Sequence, residues 1–246
     1  MRNFKLILEY DGYGFSGWQF QPFQRTIQGH LEEKITKIFK KKIHCTASGR
    51  TDSGVHALCQ VVHFKVDTAM VAQDIHKYLN SFLDRDVAVV SVQEVPLDFH
   101  AQQSVKNKTY RYTILNRAYP SAFWRNRAYF YPQPLNIKLM RKAALSIKGK
   151  RDFKCFQAAA ERTKMKTTVR TISQLTISKE DGFIHITITA DGFLHHMVRN
   201  IIGVLLAVGA GRLSLKDIPR LFKSKDRKLA PATAPAHGLC LVGVQY

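Results

Sequence analysis

The sequence predicts an α+β fold of two ferredoxin-like (RRM-like) halves, each with the order β-α-β-β-α-β and an antiparallel sheet, the two sheets joined side by side. Short runs rich in β-branched and aromatic residues alternate with amphipathic helical runs, and this alternation occurs twice along the 246 residues. Polar turns that contain glycine separate the runs. The length suits two domains, which we predict at 1–103 and 104–246. The alternative is that one common motif has been matched twice by chance.

The first half begins with a strand at residues 4–10, which is rich in β-branched and aromatic residues and stops at Asp11-Gly12. A helix is predicted over 26–41, because its apolar residues recur at spacings of three and four and Thr26 stands in the N-cap position. Two paired strands, a second helix and a last strand complete this half, at residues 43–47, 58–66, 70–82 and 87–95.

The second half repeats this order without evident sequence identity. Residues 109–115 are predicted as a strand with Tyr110 and Tyr112 on one face. The remaining elements are a helix, a hairpin, two helices and a closing strand, at residues 137–147, 169–178 with 183–190, 196–208, 214–222 and 239–244. Residues 153–168 interrupt the pattern with several basic side chains. We predict a mobile basic insertion on the binding face there, with a solvated surface loop as the alternative.

The charge of the chain is high and unevenly distributed. It holds 38 Lys and Arg against 18 Asp and Glu, a net charge of +20. Residues 1–103 contain 12 basic and 11 acidic residues, whereas residues 104–246 contain 26 basic and 7 acidic ones. A generally basic composition would charge both halves alike, so the asymmetry favours a polyanionic partner, and nucleic acid or an acidic membrane is the usual one.

Several other classes of protein are not supported. The longest apolar run, residues 201–208, is far shorter than the ~20 residues of a membrane span. Glu9 interrupts the apolar run that a secretory signal peptide would need, so we expect none. The cysteines lack C-x-x-C spacing, which predicts reduced thiols in a cytoplasmic protein. P-loop and Rossmann patterns are absent from the sequence.

The segment most suggestive of chemistry is Gly49-Arg50-Thr51-Asp52-Ser53-Gly54-Val55-His56. Its two glycines permit unusual backbone angles and the close approach of a large ligand, and they enclose a cation and a carboxylate. Asp52 therefore has the pattern of a nucleophile, general base or metal ligand. A metal is the least favoured option, because only His56 is near in sequence. The alternative is a bland turn with a surface aspartate.

Two further segments combine charge with aromatic or apolar residues. Tyr110 stands among three cations in residues 106–112, a pattern that suits phosphate contacts and base stacking, although an aromatic residue on a strand is usually part of the core. Arg199 opens an apolar helix after two adjacent histidines. It could pair with Asp52 and hold that carboxyl ionised, or it could be a surface arginine.

Taken together, these motifs resemble the TruA family of tRNA pseudouridine synthases almost from end to end. The resemblance is carried by Gly49 to His56 and by companion motifs in the same order, namely Tyr10-Asp11-Gly12, Phe15-Ser16-Gly17-Trp18-Gln19, Thr26-Ile27-Gln28, Gln60-Val61-Val62-His63-Phe64, Asp98-Phe99-His100-Ala101, Tyr110-Arg111-Tyr112, His195 to Asn200 and Gly238-Leu239. One departure is Cys240, where the family often has Tyr. We expect it to alter packing and to leave the chemistry unchanged.

The resemblance implies isomerisation of uridine to pseudouridine, without metal or organic cofactor, on a pseudouridine synthase fold. It implies that Asp52 is the nucleophile, and it leaves open whether the carboxylate attacks the base or acts at the sugar. Tyr110 corresponds to the substrate-stacking tyrosine, and Arg50 would hold the nucleotide out of its helix. Arg199 matches the basic partner of the catalytic acid, and Leu241 matches the apolar wall on the other side of the uracil.

The same resemblance implies a partner and an assembly. The substrate would be the anticodon stem-loop of several tRNAs, with uridines at positions 38 to 40 modified by one enzyme. The protein would be a homodimer in the cytoplasm. Two other hypotheses stay open at this point, namely a non-catalytic RNA-binding module with the same architecture, and an enzyme of the same chemistry acting on other RNAs or positions.

Overall fold

A computed structural model of the chain describes residues 1–158 and 167–246, and these divide into two units. Unit 1 consists of Met1–Lys106 and Cys240–Tyr246, and unit 2 consists of Asn107–Leu239. The predicted second domain, 104–246, therefore differs from unit 2 at its C-terminal end. The reason is a parallel strand pairing between distant parts of the chain, which the alternation of elements along the sequence does not reveal.

The elements follow the predicted order, with a few additions. The strands, numbered along the chain, are β1 (Arg2–Tyr10), β2 (Thr46–Ala47), β3 (His56–Val66), β4 (Val87–Val95), β5 (Asn107–Leu115), β6 (Tyr129–Phe130), β7 (Gly149–Asp152), β8 (Val169–Glu180), β9 (Phe183–Ala190) and β10 (Leu239–Gln245). The α-helices are α1 (Ile27–Phe39), α2 (Ala72–Phe82), α3 (Ile137–Ile147), α4 (Met197–Gly209) and α5 (Asp217–Ser224). The α+β class predicted from the sequence is thereby confirmed.

In unit 1, β1 lies between β3 and β4 and is antiparallel to both. The C-terminal strand β10 joins this sheet on the other side of β3 and runs parallel to it, with Cys240 opposite His56 and Leu241 opposite Ala57. The helix α1 begins as predicted, because the Gly29 N–H donates to the Thr26 hydroxyl at 3.3 Å. The face of α1 that contains Leu31 is buried.

The strand predicted at 43–47 is reduced to the two residues of β2. The physical reason lies in the backbone of Cys45, which bonds to side chains of α1 and not to a neighbouring strand. Its N–H donates to Glu32 Oε1 at 2.8 Å, and its carbonyl accepts from Gln28 Nε2 at 3.2 Å. A residue whose backbone is satisfied in this way contributes no ladder bonds, so the prediction from strand-like composition was wrong at this end.

In unit 2, β5, β9, β8 and β7 form an antiparallel sheet in that order, and β6 pairs in parallel with β5. The predicted alternation in β5 is confirmed, because Tyr110 and Tyr112 are buried opposite Ile188 and Ile186 of β9. β6 and β7 were not predicted. They are two and four residues long, and β7 is polar throughout except for Gly149, so neither carries a pattern of its own.

The segment predicted as a basic insertion, 153–168, begins inside the core of unit 2. Phe153, Cys155 and Phe156 are fully buried, and both phenylalanine rings pack against Phe222, with centroids 5.4 and 5.2 Å away. Burial raises the pKa of the Cys155 thiol to about 12. Residues 159–166, which hold most of the predicted basic side chains, lie outside the described residues.

Within the described residues, every helix is too short or too polar to span a bilayer.

Candidate active site

Asp52 lies in unit 1, in the loop of residues 48–55 that connects β2 to β3. Asp52 is partly exposed. Backbone hydrogen bonds connect its loop to the segment that follows β1. The bonds run from Trp18 N–H to the Thr51 carbonyl at 3.0 Å and from Gly54 N–H to the Phe15 carbonyl at 3.3 Å, and within the loop from Val55 N–H to the Asp52 carbonyl at 3.1 Å. The backbone position of Asp52 is therefore held from both sides.

A buried network of polar side chains also holds the Asp52 loop in place. The Tyr10 hydroxyl lies 2.9 Å from the Thr51 hydroxyl and accepts from Gln60 Nε2 at 3.3 Å. Gln60 also donates to the Gly49 carbonyl at 2.8 Å and accepts from the Ser48 hydroxyl at 2.7 Å. Ser48 and Gln60 are fully buried, and burial raises the pKa of Tyr10 well above its ordinary value. A network with its members bonded in this way is rigid.

Tyr10 and Gln60 are not among the site residues that the sequence predicts. The available signal was Gln60, a polar residue directly before the apolar run Val61-Val62 in a predicted strand. A buried amide needs hydrogen-bond partners, so a glutamine at a core position indicates a nearby polar loop.

Two glycines let the segment after β1 approach the Asp52 loop closely. Gly17 has φ +90°, and a Cβ built on it would lie 2.8 Å from the Thr51 carbonyl oxygen and 3.2 Å from the Asp52 carbonyl carbon. A Cβ on Gly12 would overlap the Val55 carbonyl oxygen. Any side chain at either position would therefore push the loop away.

Unit 1 also holds two other predicted site residues. Arg50 is exposed, two positions before Asp52 in the same loop. Leu241 is fully buried in β10, opposite Ala57 near the start of β3, which is where the Asp52 loop ends. The fold thus brings the loop and the C-terminal strand to the same end of β3, although they are far apart in the sequence.

Unit 2 holds the remaining predicted residues, Tyr110 and Arg199. Tyr110 lies in β5 and is 7% exposed, with Phe193 edge-on at a centroid distance of 5.2 Å and an angle of 86°. Arg199 lies in the first turn of α4, partly exposed. Its Nε donates to the Ala234 carbonyl at 2.8 Å, and the Ala234 N–H donates to the Arg199 carbonyl at 3.1 Å.

This reciprocal pair fixes Arg199 to the segment that leads into β10. The same segment is held by β5, since the Tyr112 hydroxyl donates to the Pro235 carbonyl at 2.9 Å. Before Arg199, His196 has a left-handed backbone with φ 59°, and its ring lies 4.0 Å from that of His195. The start of α4 therefore has a defined geometry in which a guanidinium is oriented by a backbone carbonyl.

The chemistry available to these residues follows from their settings. Asp52 offers a carboxylate on a rigid loop with access to solvent, which suits a nucleophile or a general base. Arg50 offers an exposed guanidinium for a phosphate or for the space that a displaced base leaves. Tyr110 offers a ring that is held edge-on by Phe193, and Arg199 offers a second oriented cation.

Comparison with known proteins finds relatives over the whole chain. A family model described as tRNA pseudouridine synthase matches residues 6–102 and 143–246. A tRNA pseudouridine synthase A of Caldicellulosiruptor bescii is 44% identical over 246 residues, with 100% of both chains covered. A tRNA pseudouridine synthase A 2 of Clostridium perfringens is 44% identical and a tRNA pseudouridine synthase A of Acetivibrio thermocellus is 41% identical, again over 100% of both chains. The likeness therefore extends through both units.

Proposed function

The chain belongs to the tRNA pseudouridine synthase family, and we propose that it isomerises uridine to pseudouridine in the anticodon stem-loop of tRNA, at positions 38 to 40, with Asp52 as the nucleophile. The observation that carries this proposal is the Asp52 loop, a rigid and partly exposed carboxylate site, in a chain 44% identical to a tRNA pseudouridine synthase A over its full length.

The reaction breaks the N1–C1′ bond of uridine, turns the base and joins C5 to C1′, and the proton on C5 leaves while N1 takes one up. Substrate and product have the same atoms and the same oxidation state. The proposal therefore includes no metal, redox partner or organic cofactor. A carboxylate suits the task because it can add to an electrophilic carbon and leave again, and both attack on the base and action at the sugar fit this description.

Arg50 and Tyr110 would handle the target nucleotide before the chemistry. A uridine inside a stem or a structured loop must be turned out of its stack to reach a carboxylate. We assign Arg50 to hold the extruded nucleotide, by filling the vacated space or by binding its phosphate, because its guanidinium is exposed in the Asp52 loop. We assign Tyr110 to stack on the uracil, with its hydroxyl available for proton transfer.

Arg199 and Leu241 have the two remaining roles in this proposal. We assign Arg199 as the basic partner of the catalytic Asp52, supported by its oriented position in α4. We assign Leu241 as the apolar wall of the uracil site, supported by its place beside the start of β3. An apolar wall excludes water, which strengthens the electrostatic interactions inside the pocket.

An RNA substrate recognised through its backbone is supported by the distribution of charge. Residues 104–246 carry 26 basic and 7 acidic residues, which favours recognition of a phosphate backbone and of shape over the reading of bases. Pseudouridine mapping of tRNA from cells with and without the protein tests this part. We expect losses confined to uridines of the anticodon stem-loop, and losses at other positions would contradict the substrate while leaving the chemistry intact.

Substitution of Asp52→Asn tests the nucleophile, because the amide keeps the size of the side chain and removes the carboxylate. With a tRNA transcript as substrate, we expect the rate of pseudouridine formation to fall by at least about 1,000-fold. Asp67→Asn is the matched control, since Asp67 is an exposed carboxylate of the same unit. A rate for Asp52→Asn within about tenfold of the wild-type rate would remove Asp52 as the nucleophile.

The homodimer and the cytoplasmic location are also part of this proposal. Cys45, Cys59 and Cys155 are free thiols, which is the usual state in a reducing compartment. Light scattering coupled to size-exclusion chromatography tests the dimer, for which we expect about twice the mass of one chain. Elution at the mass of a single chain at micromolar concentration would contradict it.

A further inference from the structure

Lys108 lies two residues before Tyr110 in β5 and on the same side of the strand. In the antiparallel register Lys108 is opposite Ala190, and Tyr110 is opposite Ile188. Because side chains alternate along a strand, both point to one face, about 7 Å apart along the chain. Lys108 is thus the nearest cation to Tyr110 along that face of the strand.

In the part of the chain that the structure describes, the ammonium of Lys108 lacks the acceptor that other partly buried cations of unit 2 have. Arg199 donates to the Ala234 carbonyl, and Arg227 donates to Asn200 Oδ1 and to the Thr233 hydroxyl. The side chain of Lys108 makes no hydrogen bond or ion pair with residues 1–158 or 167–246. It is nevertheless only partly exposed, opposite the fully buried Ala190.

This environment disfavours the charged form of the lysine. Burial lowers the pKa of Lys108 to about 8, because the ammonium has lost water and gains no anionic neighbour among the described residues. A cation in this state costs stability in the free protein, and an anion placed next to it would recover that cost. The side chain is therefore suited to an anionic ligand, which no residue in the described part of the chain supplies.

We propose that Lys108 binds a backbone phosphate of tRNA next to the uridine that stacks on Tyr110. This inference rests on the proposed function. A base and its own phosphate are separated by one ribose, a span comparable with the separation of Tyr110 and Lys108 along β5. The partly desolvated ammonium makes a stronger ion pair than a fully hydrated surface lysine would, and an ammonium accepts a phosphate in many orientations.

The experiment measures binding and turnover of Lys108→Met, Lys108→Arg and a control, Lys179→Met, with one tRNA transcript. Methionine matches the length of the lysine stem and removes the charge, whereas arginine keeps the charge. Lys179 is exposed in β8 opposite Ile184, six positions along β9 from Ala190 and hence about 20 Å from Lys108.

For Lys108→Met we expect a dissociation constant that rises roughly tenfold and a plot of log affinity against log salt whose slope falls by about 0.7 to 0.9. We expect KM to rise and kcat to stay within about twofold, because the contact is made in both the ground state and the transition state. Lys108→Arg should recover most of the affinity, and Lys179→Met should change the dissociation constant by less than about twofold.

Thermal unfolding separates this role from a structural one. Removal of a partly buried charge that has no partner among the described residues should raise the Tm of Lys108→Met by about 2 to 4 °C, whereas loss of a structural contact would lower it. An unchanged salt slope in Lys108→Met, with wild-type pseudouridine formation, would overturn the proposal and leave the proposed function standing. A fall in kcat of about 100-fold at an unchanged slope would also overturn it, since it would assign the amine to proton transfer. Failure of the wild-type protein to form pseudouridine would instead refute the proposed function.

Discussion

The backbone of Asp52 is positioned by residues that are distant in the sequence. Gly17 meets the carbonyl of Thr51 at a distance that excludes a side chain, and the Tyr10 hydroxyl contacts the Thr51 hydroxyl. The sequence indicated Asp52 and Arg50 because glycines enclose them. It did not indicate Tyr10 or Gln60, because their part depends on burial and on hydrogen-bond partners, which are set only when β1 and β3 pair.

We predict that Gly17→Ala lowers both stability and activity. An alanine at φ +90° is strained, and its Cβ would displace the Thr51 carbonyl, so we expect a loss of about 2 to 3 kcal/mol in the free energy of unfolding. A shift of the Asp52 loop by a fraction of an ångström should lower kcat at least about tenfold. Chemical denaturation and steady-state kinetics measure the two effects.

Gly211→Ala is the matched control for that prediction. Gly211 has φ +71°, and nothing lies within 4 Å of the Cβ that would be added. We expect a cost from backbone strain alone, about 1 to 2 kcal/mol, with an unchanged kcat. If both variants lose the same stability and both keep wild-type kcat, then the close approach of Gly17 has no part in positioning Asp52.

At the scale of the elements, α4 shows how a helix can hold a distant segment of the chain in place. Every residue of α4 is buried except Arg199. Gly203 lies against the carbonyl of Ala232, and Arg199 exchanges hydrogen bonds with Ala234. The helix was predictable from its apolar run. The closeness of residues 232–234 was not, since nothing local in either segment refers to the other.

We predict that Gly203→Ala destabilises the protein, although helix propensity predicts that alanine would stabilise it. Propensity alone would favour alanine by about 1 kcal/mol. The added Cβ would overlap the Ala232 carbonyl oxygen, so we expect a net loss of about 2 kcal/mol in the free energy of unfolding. Gly209→Ala, in the same helix, meets the flexible Met140 side chain instead and should lose less. An increase of Tm in Gly203→Ala would refute the close packing at Ala232.

At the scale of the whole molecule, the distribution of charge indicates how the chain would divide its tasks. Residues 1–103 are nearly neutral and contain Asp52 and Arg50, whereas residues 104–246 contain 26 of the 38 basic residues. Charge that is spread over many exposed side chains attracts a polyanion at long range and weakens with salt. The second half should therefore supply most of the affinity for tRNA.

Two matched charge removals test this asymmetry. One variant replaces the exposed lysines at 40–42 of unit 1 with glutamine, and the other replaces Lys148, Lys150 and Lys154 of unit 2. We expect the unit 2 variant to bind tRNA more weakly and to lose up to about 2 in the salt slope, and the unit 1 variant to change little. Equal changes in the two variants would contradict an asymmetric tRNA-binding surface.

The sequence by itself determined the α+β class, the order of the main elements, the Asp52 loop and the family. These properties are encoded locally, in apolar periodicity, in turn residues and in short motifs with fixed spacing. Only the tertiary structure decided that β10 pairs with β3 and so belongs to unit 1. It also decided that the backbone of Cys45 bonds to a side chain of α1 and not to a neighbouring strand. It also decided that Lys108 is a partly buried cation with no partner in the described part of the chain. The physical reason is that strand pairing, burial and the balance of charges depend on which distant segments meet, and a sequence pattern read along the chain does not contain that information.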